Sequence, residues 1–230
     1  NLKNKKIFCE KPLFEKWYSL PKMQNDVFVG YVLRFHPVLQ KIKEWLNGQR
    51  VLTANIACGS YLPNWRTNID YRDSYSAKKD EGGGVLLDLS HELDYCACLT
   101  GGLVEIKSYQ AKISNLEIDS DDLVSMVGKT DQHALINLVM DYFSKSAHRL
   151  IRINTNDFTL DADLIKNKLT KTNLDASQEV FEFETLERNH MFQAMHQEIL
   201  FNAEKPYICT LEQGLALMQT IQTIQEQNYE

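Results

Sequence analysis

The chain has 230 residues, 43% of them hydrophobic, and carries a formal net charge of −6 at pH 7. This length allows one large domain or two small ones, and the composition excludes wholesale disorder. The negative charge and the lack of a clustered Lys/Arg stripe argue against a nucleic-acid partner, because binding phosphates requires a basic face. The longest apolar runs fall far short of the ~20 residues of a membrane-spanning helix, so we expect no membrane partner.

The sequence contains five cysteines, an odd number without the spacing of a disulfide framework. Cys96 and Cys98 are separated by one residue rather than by the two of a redox or zinc motif. We therefore expect reduced, mostly buried thiols in a cytoplasmic protein.

Three strands and one helix are predicted in the first quarter of the chain. The apolar residues of Lys6–Cys9 and of 26–33 indicate two strands, the second of them buried. Pro37 is placed to open an amphipathic helix that ends at Gly48. A further strand is predicted over 51–58.

A long polar loop rich in aromatic residues is predicted over 59–81. A loop of this length inside a compact domain is uncommon and often functional. A triplet of glycines at 82–84 then leads into a predicted helix over 85–99, which Gly101 and Gly102 close. Glycines at the start of this helix allow another group to approach the backbone closely.

The pattern changes to short β-like runs between residues 104 and 183. Apolar runs separated by polar turns predict consecutive strands of an antiparallel sheet. These runs cover residues 104–106, 123–127, 134–140, 150–153 and 158–160. Helices predicted at 188–201 and 211–225 follow. A block of strands with helices before and after it indicates an α+β fold, with an open, mainly antiparallel sheet and helices on one face.

Lys11 directly follows the first predicted strand, in the sequence Glu10-Lys11-Pro12. Ligands bind at strand ends in α/β sheets, and a lysine there could donate a proton or a hydrogen bond to a reacting oxygen. Pro12 would fix the local backbone. On spacing alone, an ordinary surface lysine in a turn is the favoured interpretation.

Asp88 and His91 lie three residues apart on a predicted helix, so they are expected to share a face. A carboxylate beside an imidazole raises its pKa and orients it, as a general acid or base requires. The alternative is a solvated helix face, or a histidine that merely packs. A metal site is disfavoured, because His91 and Asp94 supply only two ligands.

Several cationic and phenolic side chains lie next to the apolar elements. Arginine and tyrosine together suit hydroxyl-rich or phosphate-bearing ligands. Taken singly, each of these residues could instead anchor a loop. The residues concerned are Arg34, His36, Arg66, Tyr71, Arg72 and Tyr75.

Three motifs occur in an order that resembles the glucose–fructose oxidoreductase and inositol dehydrogenase (Gfo/Idh/MocA) superfamily. Residues 5–13, KKIFCEKPL, resemble its strand followed by Glu-Lys-Pro. Residues 29–37, VGYVLRFHP, resemble its next strand and the crossing into the second domain, and residues 82–94, GGGVLLDLSHELD, resemble its catalytic helix. The tail over 189–225 is similar to its closing helix pair, so the resemblance spans nearly the whole chain.

The resemblance implies an oxidoreductase that uses NAD or NADP and acts on sugars, sugar derivatives or polyols. Family members join an N-terminal Rossmann domain to a C-terminal domain whose open sheet binds substrate and mediates oligomerisation. We therefore expect a remnant of the Rossmann domain over 1–35 and the substrate domain over 36–230. A homodimer or tetramer would form through the sheet. The motifs in 59–65 and 70–77 resemble a subset associated with bacterial surface-glycan and sugar-nucleotide pathways.

The resemblance also assigns roles to the candidate residues. Lys11 would hydrogen-bond the reacting hydroxyl, His91 would be the acid/base, and Asp88 would be its carboxylate companion. Glu10, Lys11 and Pro12 would contact the cofactor. The substrate-binding candidates are Arg34, Tyr71, Arg72 and Tyr75.

The chain departs from the family pattern at three points. It contains no G-x-G-x-x-G motif and begins without methionine, so we expect a C-terminal portion whose first Rossmann strands are missing. Two residues separate Asp88 from His91 where the family usually has three, and an alternative alignment puts Leu87 at the carboxylate position. The short segment 13–25, which contains Pro21, predicts a crossover helix at the lower limit of length.

Two functions stay open on the sequence alone. One is the C-terminal domain of a hydride-transfer enzyme. The other is a non-catalytic dimerisation or ligand-binding module of the same fold. Convergence of Lys11, Asp88 and His91 on one cleft would favour the enzyme.

Overall fold

A computed structural model describes residues 3–184, 187, 189–201, 204 and 206–227. Five helices and eleven strands lie within these residues. The helices are α1 (Pro37–Leu46), α2 (Val85–Asp88), α3 (His91–Thr100), α4 (His190–Phe201) and α5 (Leu211–Glu226). The strands are β1 (Lys6–Cys9), β2 (Asp26–Val29), β3 (Val51–Gly59), β4 (Leu103–Ala111), β5 (Leu123–Thr130), β6 (Leu135–Asp141), β7 (His148–Thr155), β8 (Phe158–Asp163), β9 (Lys168–Asn173), β10 (Gln178–Glu182) and β11 (Cys209–Thr210). None of the described helices combines the length and apolar character needed to cross a membrane.

Eight strands form one open sheet in the order β10-β9-β8-β7-β3-β6-β5-β4. Neighbouring strands pair antiparallel except β3 and β6, which run parallel. β3 lies inside the sheet although it precedes the other strands in the chain, and later strands add on both sides of it. The predicted α+β fold with a mainly antiparallel open sheet is confirmed.

The two faces of this sheet differ in burial. In β6, Ile136, Leu138 and Met140 are fully buried, whereas Leu135 and Val139 are exposed. Successive side chains of a strand point to opposite faces, so one face is covered and the other is open. Helices α2 and α3 contact β5 and β3, and their buried side chains share one apolar core with the covered face.

A small three-stranded sheet brings the N-terminal and C-terminal parts of the chain together. β1 pairs parallel with β2, and β11 pairs antiparallel with β2 on its other side. α5 begins directly after β11 with a capping box, in which the side chains of Thr210 and Gln213 accept each other's backbone N–H groups. Residues 209–210 therefore complete a sheet that begins within residues 1–35, and the domain boundary at residue 35 stays a prediction.

Two predicted elements of the N-terminal part are wrong. The strand predicted over 26–33 ends at Val29, and Val32–Phe35 form a 3₁₀ turn. A continuous apolar run reflects burial on all sides, which a strand and a buried turn share. The crossover helix predicted over 13–25 is absent, because this segment has neither helix nor strand. Pro21 lacks the N–H group that a helix would need there.

The helix predicted over 85–99 is interrupted. α2 ends at Asp88, Leu89 leaves helical geometry with φ −96° and ψ 24°, and α3 begins at His91. The apolar pattern continues through the break because Leu86, Leu89 and Leu93 are all buried. Strands β9 and β10 were also missed, since their Lys, Thr and Glu residues weaken the apolar signal at the edge of the sheet.

Candidate active site

Lys11 is held by the backbone of α2. It follows β1 closely, and its Nζ donates hydrogen bonds to the carbonyl oxygens of Asp88, at 2.6 Å, and Leu87, at 3.4 Å. Burial lowers the pKa of Lys11 although the carboxylates of Asp88 and Glu92 act in the opposite direction. Lys11 is therefore a partly buried, fixed lysine and not an ordinary surface residue.

The glycines before α2 let this helix lie close to its neighbours. A Cβ atom at Gly83 would stand 2.1 Å from the carbonyl oxygen of Tyr75, and one at Gly84 would stand 2.1 Å from Oδ1 of Asp121. Gly84 also has a φ of +120°, which side-chain-bearing residues rarely adopt. The sequence indicated a close approach at these glycines, and the approaching groups belong to this chain.

The carboxylate of Asp88 bonds a tyrosine. Its Oδ2 accepts a hydrogen bond from the hydroxyl of Tyr142 at 2.6 Å. The same carboxylate acts on Tyr75, because burial, followed by the negative charge of Asp88, raises the pKa of Tyr75. Because the helix breaks at Leu89, Asp88 and His91 do not lie on one continuous helix, and the prediction that they do is wrong.

Tyr142 was missed by the sequence reasoning. It directly follows β6 and is fully buried, and the ring of Trp65 packs edge-on against it with 5.1 Å between centroids. A buried tyrosine needs a partner for its hydroxyl, but the sequence does not show which one. The partner, Asp88, is 54 residues away along the chain.

His91 begins α3 and lies edge-on to the ring of Tyr31, with 5.6 Å between ring centroids. Its Nδ1 is buried and has no hydrogen-bond partner among the residues that the structure describes. Burial, followed by the positive charges of Lys11 and Arg149, lowers the pKa of His91 well below its usual value. The imidazole is therefore neutral near pH 7 and able to accept a proton.

Arg34 lies in a buried ion pair. Its Nε and Nη2 donate to the two carboxylate oxygens of Asp94 at 2.9 and 2.7 Å, and its Nη1 donates to Oε1 of Gln213 at 2.7 Å. Both partners of the ion pair are almost fully buried. This geometry makes Arg34 a link between the 3₁₀ turn, α3 and α5, and it does not bring the guanidinium to Lys11.

Tyr71 and Arg72 are engaged in local contacts of the 59–81 loop. Arg72 forms ion pairs with Asp70 and Glu117, at 2.5 and 3.0 Å. The hydroxyl of Tyr71 accepts a hydrogen bond from the backbone N–H of Glu117 at 3.2 Å. Arg34, Tyr71 and Arg72 are thus engaged elsewhere, whereas the charge of Asp88 acts on Tyr75.

The remaining candidates flank Lys11. The Lys11–Pro12 peptide bond is cis, and Glu10 lies beside Gly30, where a Cβ atom would stand 3.2 Å from its Oε2. The site thus combines an ammonium group, a neutral imidazole and a carboxylate–tyrosine pair around the break between α2 and α3. Such a set can hold a hydroxyl oxygen and move its proton.

The sequence pattern of the GFO/IDH/MocA C-terminal domain matches residues 39–159. The chain belongs to this family. No curated protein matches the chain. The matched residues of this GFO/IDH/MocA domain run from α1 to β8 and include Asp88, His91 and Arg149.

Solved structures share the fold of this GFO/IDH/MocA domain at low sequence identity. UDP-N-acetylglucosamine 3-dehydrogenase GnnA from Acidithiobacillus ferrooxidans is 17% identical, with a TM-score of 0.68 over 87% of this chain. Levoglucosan dehydrogenase, solved with NADH and levoglucosan, is 14% identical, with a TM-score of 0.80 over 96% of this chain. A super-repressor mutant of Gal80p from Saccharomyces cerevisiae is 13% identical, with a TM-score of 0.82 over 97% of this chain.

The domain spans only part of these proteins. It covers 60% of GnnA, 71% of levoglucosan dehydrogenase and 70% of Gal80p. At these identities the likeness shows the fold alone.

Proposed function

We propose that this chain is the C-terminal domain of an NAD(P)-dependent oxidoreductase. The intact enzyme transfers a hydride to or from the hydroxyl or carbonyl carbon of a sugar, sugar nucleotide or polyol. The observation that carries the proposal is the placement of Lys11 beside α2, where its charge acts directly on the neutral imidazole of His91. Two of the structural relatives are named as sugar dehydrogenases, which supports the substrate class.

The roles of the residues follow from their protonation. Nδ1 of His91 is buried, which leaves Nε2 to accept the proton of the substrate hydroxyl. The ammonium group of Lys11 donates a hydrogen bond to the same oxygen and stabilises the negative charge that grows there. Asp88, bonded to Tyr142, adds the negative charge that balances Lys11.

Part of a nicotinamide cofactor fits the residues present. Glu10, Lys11 and Pro12 follow the carboxyl end of β1, a parallel strand, and strand ends of this kind bind ligands in open α/β sheets. The sequence contains no glycine-rich turn for the pyrophosphate, so the residues of this chain would hold the nicotinamide end only. When bound, the cofactor supplies the hydride acceptor or donor.

A second candidate function is a non-catalytic ligand-binding or assembly module. The match to Gal80p, whose solved structure is that of a super-repressor mutant, favours it. In such a module Lys11 and His91 would bind a ligand without turnover.

One experiment separates the two functions. We expect the 230-residue chain alone to show no NADH binding at micromolar concentration in a fluorescence titration, because it lacks the pyrophosphate site. The intact protein, joined to its Rossmann domain, is expected to reduce NAD⁺ or NADP⁺ with at least one member of a panel of sugars, sugar nucleotides and polyols. Micromolar NADH binding by the chain alone contradicts the cofactor assignment, and ligand binding without turnover by the intact protein supports the module.

We also propose that the open face of the large sheet forms the contact between copies of the chain. Its exposed apolar residues include Val127, Leu135, Val139 and Leu150. A face of this kind is normally buried by a partner. We expect a dimer or tetramer at roughly tens of micromolar in light scattering.

A matched pair of variants tests this contact. Leu150→Glu should dissociate the oligomer, whereas Phe201→Glu, on the exposed side of α4, should leave it intact. A monomeric wild-type chain at this concentration would show that the sheet face is not a strong interface.

A further inference from the structure

An exposed arginine of the loop over 59–81 lies on the ring of a tyrosine. The guanidinium carbon of Arg66 stands 5.1 Å from the ring centroid of Tyr75. The face of an aromatic ring attracts a cation at this distance, so the ring holds the guanidinium in place. Within the described residues, Arg66 forms neither a hydrogen bond nor an ion pair, which leaves its N–H groups available to a ligand.

Other cations of the region have acceptors inside the protein. In the same loop, Arg72 forms two ion pairs with carboxylates at 2.5 and 3.0 Å. Next to α2, Lys11 donates to two carbonyl oxygens, and Nε of Arg149 donates to Oε1 of Glu92 at 2.6 Å. A ligand can therefore pair with Arg66 without breaking a contact of this kind.

A chain of contacts joins Arg66 to the proposed catalytic carboxylate. The preceding residue, Trp65, packs edge-on against Tyr142, and the hydroxyl of Tyr142 donates to Oδ2 of Asp88 at 2.6 Å. Nε1 of Trp65 also donates to Oγ of Ser60 at 2.7 Å, directly after β3. The backbone at Arg66 is thus anchored beside the site, while its side chain faces solvent.

Tyr75 is anchored beside α2 from the other side of the loop. Its carbonyl oxygen would lie 2.1 Å from a Cβ atom at Gly83, so its main chain is packed against the residues that lead into α2. Oγ of Ser120 holds the next residue by donating to the carbonyl oxygen of Ser76 at 2.7 Å. The side chain of Tyr75 is nevertheless 44% exposed, so a bound molecule can reach the stacked pair.

We infer that Arg66, stacked on Tyr75, binds an oxyanion of the substrate, a phosphate or a carboxylate that the sugar carries apart from its reacting hydroxyl. The inference rests on the proposed function and narrows its substrate class to anionic sugar derivatives. The planar guanidinium matches two oxygens of such a group at once. Because the chain has a net charge of −6, attraction of an anion depends on a local cation of this kind.

The test is isothermal titration calorimetry of the 230-residue chain with glucose 1-phosphate, glucuronic acid and glucose. Salt at about 150 mM screens the general attraction between exposed charges. We expect at least one of the two anionic ligands to bind about 10-fold or more tightly than glucose, because charge-assisted hydrogen bonds are the stronger ones. Comparison of the two anions distinguishes a phosphate from a carboxylate.

Variants assign the effect to the stacked pair. Arg66→Met should lower the affinity for the anion by about 10-fold and leave glucose binding unchanged. Tyr75→Leu removes the ring that orients the guanidinium and should weaken anion binding in the same direction. Arg50→Met is the matched control, since it removes an equal charge from an exposed position before β3, at the end of this strand opposite to the loop. It should keep the wild-type affinities.

Two results overturn the inference. One is an anion affinity no higher than that of glucose, and the other is an anion affinity that Arg66→Met leaves unchanged or that Arg50→Met lowers equally. Arg66 is exposed and makes no internal hydrogen bond among the described residues, so its variant should fold, which circular dichroism checks. The titration measures no turnover. A negative result leaves an oxidoreductase of neutral sugars or polyols possible, whereas anion binding through Arg66 in an intact protein without turnover refutes the enzyme and keeps the binding site.

Discussion

Replacing His91 with alanine is expected to lower the kcat of the intact enzyme by about 10²–10⁴-fold, the usual contribution of a general acid or base. The affinity for the cofactor should change little, because His91 is proposed to act on the substrate proton alone. Steady-state kinetics at saturating NAD⁺ or NADP⁺, together with a cofactor titration, measure both quantities.

A histidine remote from the site provides the control. His133 lies in the turn between β5 and β6 with a φ of +66°, at the end of β6 opposite to Tyr142. Since asparagine tolerates this conformation, His133→Asn should retain wild-type kcat. Wild-type turnover in His91→Ala would refute the acid/base assignment. Asp88→Asn should cost less than His91→Ala, because the carboxylate bonds Tyr142 and carries no transferred proton.

The second large effect concerns stability. Asp94→Ala is expected to lower the free energy of unfolding by about 3–5 kcal/mol, because it leaves the guanidinium of Arg34 buried without its counter-charge. Urea denaturation followed by circular dichroism measures this loss. Lys166→Met, which removes an exposed ion pair with Asp163, should cost no more than about 1 kcal/mol.

The double variant Arg34→Met/Asp94→Leu separates charge from packing. It removes both charges and keeps apolar volume, so it should regain most of the stability lost in Asp94→Ala. A double variant as unstable as Asp94→Ala would show that an uncompensated buried charge is not the cause of the loss in Asp94→Ala.

The sequence predicted those parts of the fold that depend on local pattern. Pro37 and the apolar spacing after it located α1, and the alternating burial of β6 is visible in residues 135–140. The sequence also predicted correctly that another group approaches the backbone closely at the glycines before α2. The break at Leu89 could not be predicted from the sequence. Leu86, Leu89 and Leu93 are all buried, and a continuous helix would give the same apolar pattern.

The candidate site was predictable only where it depends on short motifs. The order of those motifs led to the proposal of Lys11 and His91 as site residues. The contacts of Tyr142 with Asp88 and of Arg149 with Glu92 join residues 54 and 57 positions apart, and the register of the central strands creates both. An arginine such as Arg34 is of a type that often binds ligands. Only the position of Asp94 shows that the Arg34 guanidinium forms a buried ion pair instead.

The hydrogen bonds of Lys11 to main-chain oxygens have a consequence for mutational tolerance. Both acceptors are carbonyl groups, at positions 87 and 88, and every amino acid supplies such a group. The side chain at position 87 can therefore change while the ammonium group keeps its place, whereas Asp88 also needs its carboxylate for Tyr142. Directed evolution of substrate preference could begin at Leu87 without redesigning the lysine.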